Sequence, residues 1–294
     1  GNTYELLTEL PTWWRIAIPA LGGLIVGPLV YRWAREARGH GVPEVMLAVA
    51  QQDGVIRPRV PIAKFIASGI TIGTGGSVGR EGPIIQIASA IGSMCGQWLK
   101  LGPEHMKVLV GCGAAAGIAA TFNAPISGAF FALEVILGNF ALPAFSPIVL
   151  SSVLATVVAR SALGDHPAFP IPTYQLVSAV EIPIHVCLGA VVAVAGVAFI
   201  RVLYFTEDAI DRVPIPGWLK PALGGLALGV LYLYFPRMYG TGYATMEERV
   251  HRGLKKVFFL NNYDENIMIV GHRAVNRMIL SSFLSRQEAE IPFI

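Results

Sequence analysis

The sequence predicts an all-α polytopic membrane protein followed by a short soluble α/β-like tail, and three observations carry that reading. Hydrophobic residues make up 54% of the 294-residue chain and charged residues only 14%, against roughly 25% charged in ordinary soluble domains. Mean hydropathy is strongly positive, at +0.58. Long stretches without an acidic or basic residue recur along the chain, punctuated by many of its 32 glycines and 20 prolines. A soluble enzyme of this length needs more charge to solvate its surface. A disordered or nucleic-acid-binding chain would be poor in aliphatics and dominated by one sign of charge, whereas the net charge here is +3. Both classes are excluded, and a lipid bilayer is the predicted surrounding.

From the N-terminus, GNTYELLTELPTWWR lacks the basic segment and short apolar core of a signal peptide. Trp13, Trp14 and Arg15 stand just before the apolar run 16–31, where interfacial aromatics and a cation belong on a membrane helix. The other charge-free stretches are 65–79, 82–99, 108–133, 135–159, 182–200 and 221–236. A complete span needs roughly 20 apolar residues. Several stretches are shorter, or are cut at Gly22-Gly23, Gly75-Gly76, Gly111-Cys112-Gly113 and Asn123-Ala124-Pro125. Helices that stop halfway are tolerated at membrane depth only where they line a cavity or are buried in protein. Such interrupted segments therefore point to a binding site near the midplane. The competing reading is close helix packing through small residues, and it takes most of the glycines, Gly113, Gly117 and Gly128 among them. Cys95, Cys112 and Cys187 read as small buried hydrophobes, and their spacing implies no disulfide framework, metal site or cofactor.

Two loops carry the chemistry. Gly39-His40-Gly41-Val42-Pro43-Glu44-Val45 follows a basic helix end with Arg32, Arg35 and Arg38, a cluster that favours the cytoplasmic side. Gly79-Arg80-Glu81-Gly82-Pro83 opens an apolar helix expected over 84–99. Both run glycine, polar residues, glycine, then a proline suited to the first helical turn. Each aims a helix N-terminus, with free N–H groups and about half a positive charge, at whatever lies in front of it. Two converging N-termini would hold a small anion without a lysine at the site. Glu81, flanked by apolar segments, is the sharpest residue, because a carboxylate at membrane depth is costly and usually functional. It either occupies the anion position and leaves on protonation, coupling conduction to pH, or only caps the helix or pairs with Arg80. Arg80 reads as neutralising charge at the loop.

GHGVPEV, GREGPIIQIASAIGS and GCGAAAGIAATFNAPISGAFFALEV, in that order, resemble the CLC family of chloride channels and chloride/proton exchangers over about residues 12–242. The resemblance implies a CLC-type bundle of tilted and broken helices, about nine of eighteen, in a homodimer with one anion pathway per subunit. By that likeness Glu81 matches the gating glutamate and residues 39–43 the first anion-coordinating loop, with Gly79, Arg80, Gly82 and Pro83 forming the second. The implied partners are chloride or a similar small anion, protons and the lipid bilayer of a prokaryotic plasma membrane. His40 stands where the family commonly has serine, and it either lines the path or points away. Val135, after Glu134, stands where many exchangers carry a carboxylate, which favours passive conduction or an unusual proton route. Glu134 itself reads as a cap or pairing group. GNFALP at 138–143 is discounted as the family's later loop because it lies in the wrong place.

Residues 1–240 hold 28 of the 41 formal charges, about 12%, and residues 241–294 hold 13, about 24%. A truncated CLC-type domain over 1–242 and an unrelated soluble tail over 243–294 are therefore expected, as a chimera or as a natural variant tail. In that tail 266–270 reads as a strand and 272–284 as an amphipathic helix. IMIVGHRAVNRMIL is similar to the C-terminal part of the histidine phosphatase family, in which His272 would match the second active-site histidine. The nucleophilic Arg-His-Gly triplet of that family is absent from the chain, so no phosphatase activity is expected. A homologue that assembles without conducting is the remaining alternative.

Overall fold

The computed structural model describes residues 10–165, 181–235 and 239–242. The expected tail strand and helix lie outside the described residues. Among the described residues every regular element is helical. They are α1 (Thr12–Trp33), a 3-10 turn (Arg35–Ala37), α2 (Val42–Gln51), α3 (Arg59–Gly73), α4 (Glu81–Trp98), α5 (Pro103–Phe122) and α6 (Pro125–Phe131). A π-helical turn (Ala132–Leu137), α7 (Leu142–Leu163), α8 (Glu181–Arg212) and α9 (Lys220–Tyr234) follow. The chain divides into two compact units, Gly1–Pro170 with Ile215–Ala244, and Ile171–Pro214 with Thr245–Ile294.

Among the described residues four helices are long and apolar enough to cross a bilayer: α1, α5, α7 and most of α8. A 22-residue helix such as α7 rises about 33 Å, the thickness of the hydrocarbon layer. On α7 the buried positions Ala144, Ile148, Ser152 and Thr156 recur every four residues and form one inward stripe. Leu150, Val153, Leu154, Val157 and Val158 are exposed on the rest of the helix. Apolar side chains on both faces are what lipid on one side and protein on the other require. The α8 helix, in the second unit, is apolar until its last turns, where Glu207, Asp208, Asp211 and Arg212 gather.

The core of the first unit joins Val45 of α2, Ile85 of α4, Val110 and Ala114 of α5, Leu133 of the π turn and Ile148 of α7. Helices approach closely because glycines meet backbone. A Cβ on Gly113 would strike the Ala88 carbonyl, one on Gly128 would lie 2.6 Å from the Ala115 carbonyl, and one on Gly23 would strike that of Pro221. The packing reading of Gly113, Gly117 and Gly128 is therefore correct. It also corrects two expected breaks, since α1 runs through Gly22-Gly23 and α5 through Gly111–Gly113 without interruption. Gly75-Gly76 and Asn123-Ala124-Pro125 do break the chain, the latter through Asn123 at φ 55°. The cysteines need a correction too: Cys112 is half-buried, but Cys95 and Cys187 are exposed on outward faces of their helices. On a membrane helix an apolar neighbourhood does not separate lipid-facing from protein-facing positions.

Candidate functional site

The first loop is shaped by backbone freedom. Gly39 at φ 98° and Gly41 at φ 101° adopt a conformation that side chains disfavour. They turn the chain into α2, where Val42 is first and Pro43 second. Glu44 reaches back one turn, its Oε2 accepting the Gly41 N–H at 2.6 Å. Val45 N–H bonds the Gly41 carbonyl at 3.3 Å, so the N–H groups of Val42 and Glu44 precede the first carbonyls of the helix.

The second loop starts α4 at Glu81, three residues before the expected start, with Arg80 as the N-cap and Pro83 inside the first turn. A proline there removes a donor that no helical carbonyl could have accepted. The Ile84 N–H bonds the Arg80 carbonyl at 3.1 Å. Glu81 is half-buried. Its carboxylate folds back over Gly79, where a Cβ would collide with Oε2.

The structure brings the two loops together. A Cβ on Gly82 would strike the His40 carbonyl oxygen, and a Cβ on Gly41 would strike the Gly82 carbonyl and lie 3.3 Å from Gln86 Cβ. The N-termini of α2 and α4 thus meet backbone to backbone, with neither contact leaving room for a methyl group. Gly41 is buried in this contact, while His40 is exposed and meets Gly82 through its main chain.

Two residues that the sequence reading did not select hold the first loop. Lys64 of α3 is buried, and its Nζ donates to the carbonyls of Gly39 at 2.7 Å and Ala37 at 3.1 Å. Gln86 of α4 is also buried and donates to the Glu36 carbonyl at 2.9 Å. The rule that singles out Glu81, a charge among apolar residues at membrane depth, applies equally to Lys64, which stands between Ala63 and Phe65. Beside this turn, Glu36 Oε1 accepts from Arg57 at 2.7 Å and Arg59 at 3.2 Å. Partial burial pushes the Glu36 carboxyl up. A backbone hydrogen bond and the Arg59 and Arg57 guanidiniums outweigh that effect and hold it below its ordinary value.

The glycines of α5 pack against α4, Gly117 facing Ile84 and Gly113 the Ala88 carbonyl. Asn123, half-buried, accepts from the exposed Arg160 Nε at 2.6 Å and donates to the exposed Asp165 at 2.7 Å. Glu134 is exposed on the π turn, and Val135 packs against the apolar core. Among the described residues no cluster of His, Cys, Asp or Glu could hold a metal.

A match to the voltage-gated chloride channel family covers residues 22–284. The chain belongs to the CLC family. The family match runs past residue 242, where the sequence reading expects the family resemblance to end. A chloride channel protein of Ralstonia nicotianae, described as putative and ClcB-like, is 33% identical over 246 residues, covering 82% of this chain and 57% of that protein. The chloride channel protein CLC-f of Arabidopsis thaliana is 35% identical over 259 residues, with 82% and 32% covered. The crystal structure of a slow cyanobacterial Cl−/H+ antiporter superposes with a TM-score of 0.72 at 27% identity, covering 82% of this chain and 58% of that one. A CLC-type fluoride/proton antiporter, at 22% identity and a TM-score of 0.69, shares the fold. This chain is an integral membrane protein of the CLC type, and it spans less than two thirds of the length of the Ralstonia relative and the cyanobacterial antiporter.

Proposed function

We propose that this chain carries part of a CLC-type anion pathway, in which chloride or a similar small anion is held at the N-termini of α2 and α4 and protonation of Glu81 gates it. The observation that carries the reading is the backbone contact of His40 and Gly41 with Gly82, with the Glu81 carboxylate turned over Gly79 beside it. About half a charge at each N-terminus, roughly 4 Å from an anion at an effective dielectric of about 20, contributes about 2 kcal/mol. Two converging N-termini offer about 4 kcal/mol, and no fixed cation needs to trap the ion. The same field attracts a carboxylate, so ionised Glu81 competes with the permeant anion and protonated Glu81 does not. In this reading residues 39–43 with Gly79, Arg80, Gly82 and Pro83 form the anion site, the two prolines by starting the helices, and the functional unit is a homodimer.

Val135 has no titratable group to relay a proton, which favours passive conduction or, in an exchanger, an unusual proton route. The test is chloride efflux from proteoliposomes and chloride binding by calorimetry as functions of pH. Glu81→Gln is expected to remove the pH dependence and tighten binding. A variant whose flux, binding and pH profile all matched the unsubstituted protein would sink the gate assignment. A second reading is a homologue that assembles with intact subunits without conducting. Co-purification without flux would establish it. The tail over 243–294 is proposed as a soluble fragment resembling the end of a histidine phosphatase, without activity. Turnover of a phosphomonoester that disappears in His272→Ala would overturn that.

A further inference from the structure

At the C-terminal end of α1, just before the first anion loop in sequence, lies an open cleft of about 440 Å³. Arg32 and Arg35 line one side, Arg57 and Arg59 at the start of α3 line the other, and among the described residues Glu36 is the only acidic group in the lining. Four guanidiniums against one carboxylate leave a formal charge of +3. Glu36 Oε1 bridges Arg57 and Arg59 at 2.7 and 3.2 Å, yet their side chains stay 66% and 44% exposed. A guanidinium has five N–H donors in a planar fork, so one bond to Glu36 leaves each arginine an edge for a second oxyanion. Arg35 lies 4.8 Å from the centre of the Tyr31 ring and is fixed there by its Nε bond to the Tyr31 carbonyl.

The position of the cleft says which oxyanion reaches it. Leu21, Leu24 and Ile25 are exposed on the preceding turns of α1, and Tyr31 and Trp33 are exposed where that helix ends. Lipid-facing aliphatics followed by aromatics mark the headgroup level of a bilayer. We infer that this cleft binds the phosphate of an anionic phospholipid headgroup, gripped by Arg32, Arg57 and Arg59, with Glu36 as the positioning residue. Arginine forks match phosphate oxygens in pairs, and basic pockets beside membrane helices take such headgroups.

The full chain in detergent would be titrated with dioctanoyl phosphatidylglycerol, dioctanoyl phosphatidylcholine and inorganic phosphate, with binding followed by native mass spectrometry. Saturable binding of the phosphatidylglycerol alone is expected. Each arginine removed should weaken it about fivefold, so the Arg57→Gln, Arg59→Gln pair weakens it about twenty-five-fold. Arg32→Gln, on a different element and outside the Glu36 bridge, keeps the test open if the double variant does not fold. Its single fivefold loss is the expected result. Equal binding of both lipids, binding of inorganic phosphate in place of lipid, or affinity unchanged in Arg32→Gln would each overturn the assignment.

Discussion

Replacing Gly82 by alanine tests the meeting of the two helix ends directly. The added methyl group falls on the backbone oxygen of His40, which cannot rotate away as a side chain could. The first loop must therefore retreat from α4 by about 1 Å, at a cost of about 1–3 kcal/mol for overpacking. That retreat moves the N-terminus of α2 from about 3.5 to about 4.5 Å from a shared anion, which weakens its attraction by about 0.5 kcal/mol at an effective dielectric of about 20. One lost N–H bond adds about 1 kcal/mol. Chloride should bind about tenfold more weakly, and the unfolding temperature should fall. Gly69→Ala is the matched control, because nothing lies within 4 Å of a Cβ there. That change should be neutral or stabilising by up to about 1 kcal/mol, as for glycine in a helix interior. Calorimetric chloride titration and thermal unfolding in detergent read both quantities. Unchanged affinity and stability in Gly82→Ala, or equal damage from Gly69→Ala, would refute the reasoning.

Lys64→Met removes a buried cation from the carbonyls of Ala37 and Gly39. It should cost about 2–4 kcal/mol in denaturant unfolding and loosen residues 37–41 in hydrogen exchange. Ser93→Ala strands the Ile56 N–H, bonded at 2.8 Å, and the Gly54 carbonyl, bonded at 2.6 Å. A loss of about 2–4 kcal/mol is expected, with m unchanged. Because the folded-state pKa of Glu36 lies below its ordinary 4.5, its contribution is present above that value and fades as pH falls through the folded-state value. Glu36→Gln should narrow its stability gap to the parent protein as pH falls below about 4.5, and the gap at neutral pH should stay under about 1 kcal/mol for so exposed a pair.

Much of the frame was legible because it is written in charge and glycine. The apolar stretches found their helices, and the two repeated loop patterns, 40 residues apart from Gly39 to Gly79, met at Gly41 and Gly82. What stayed hidden depended on neighbours. Gly22-Gly23 and Gly111–Gly113 look like breaks in a one-dimensional reading, but they are contact points, Gly23 and Gly113 against neighbouring backbone and Gly22 and Gly111 against side chains. Lys64 was legible only as the end of an apolar stretch, because its partners are two carbonyls about 25 residues earlier, and backbone acceptors leave no mark in the residue types. Cys95 had no sequence feature to say that its side of α4 is exposed.

The base of the second loop is tied down from far along the chain. The Tyr232 hydroxyl donates to the Gly75 carbonyl across 157 residues of sequence, and Tyr239, stacked on Tyr232, donates to the Arg15 carbonyl at 2.8 Å. A ribosome adding about 5–20 residues per second delivers Tyr232 roughly 10–30 s after Gly75. By then α1, α5, α7 and α8 have all been made, with the Gly75 carbonyl still without that donor. Release of the nascent chain before α9 would therefore leave the Gly75 carbonyl without its Tyr232 donor and the Gly75–Gly76 turn held by its own bonds to Ile72 and Thr71.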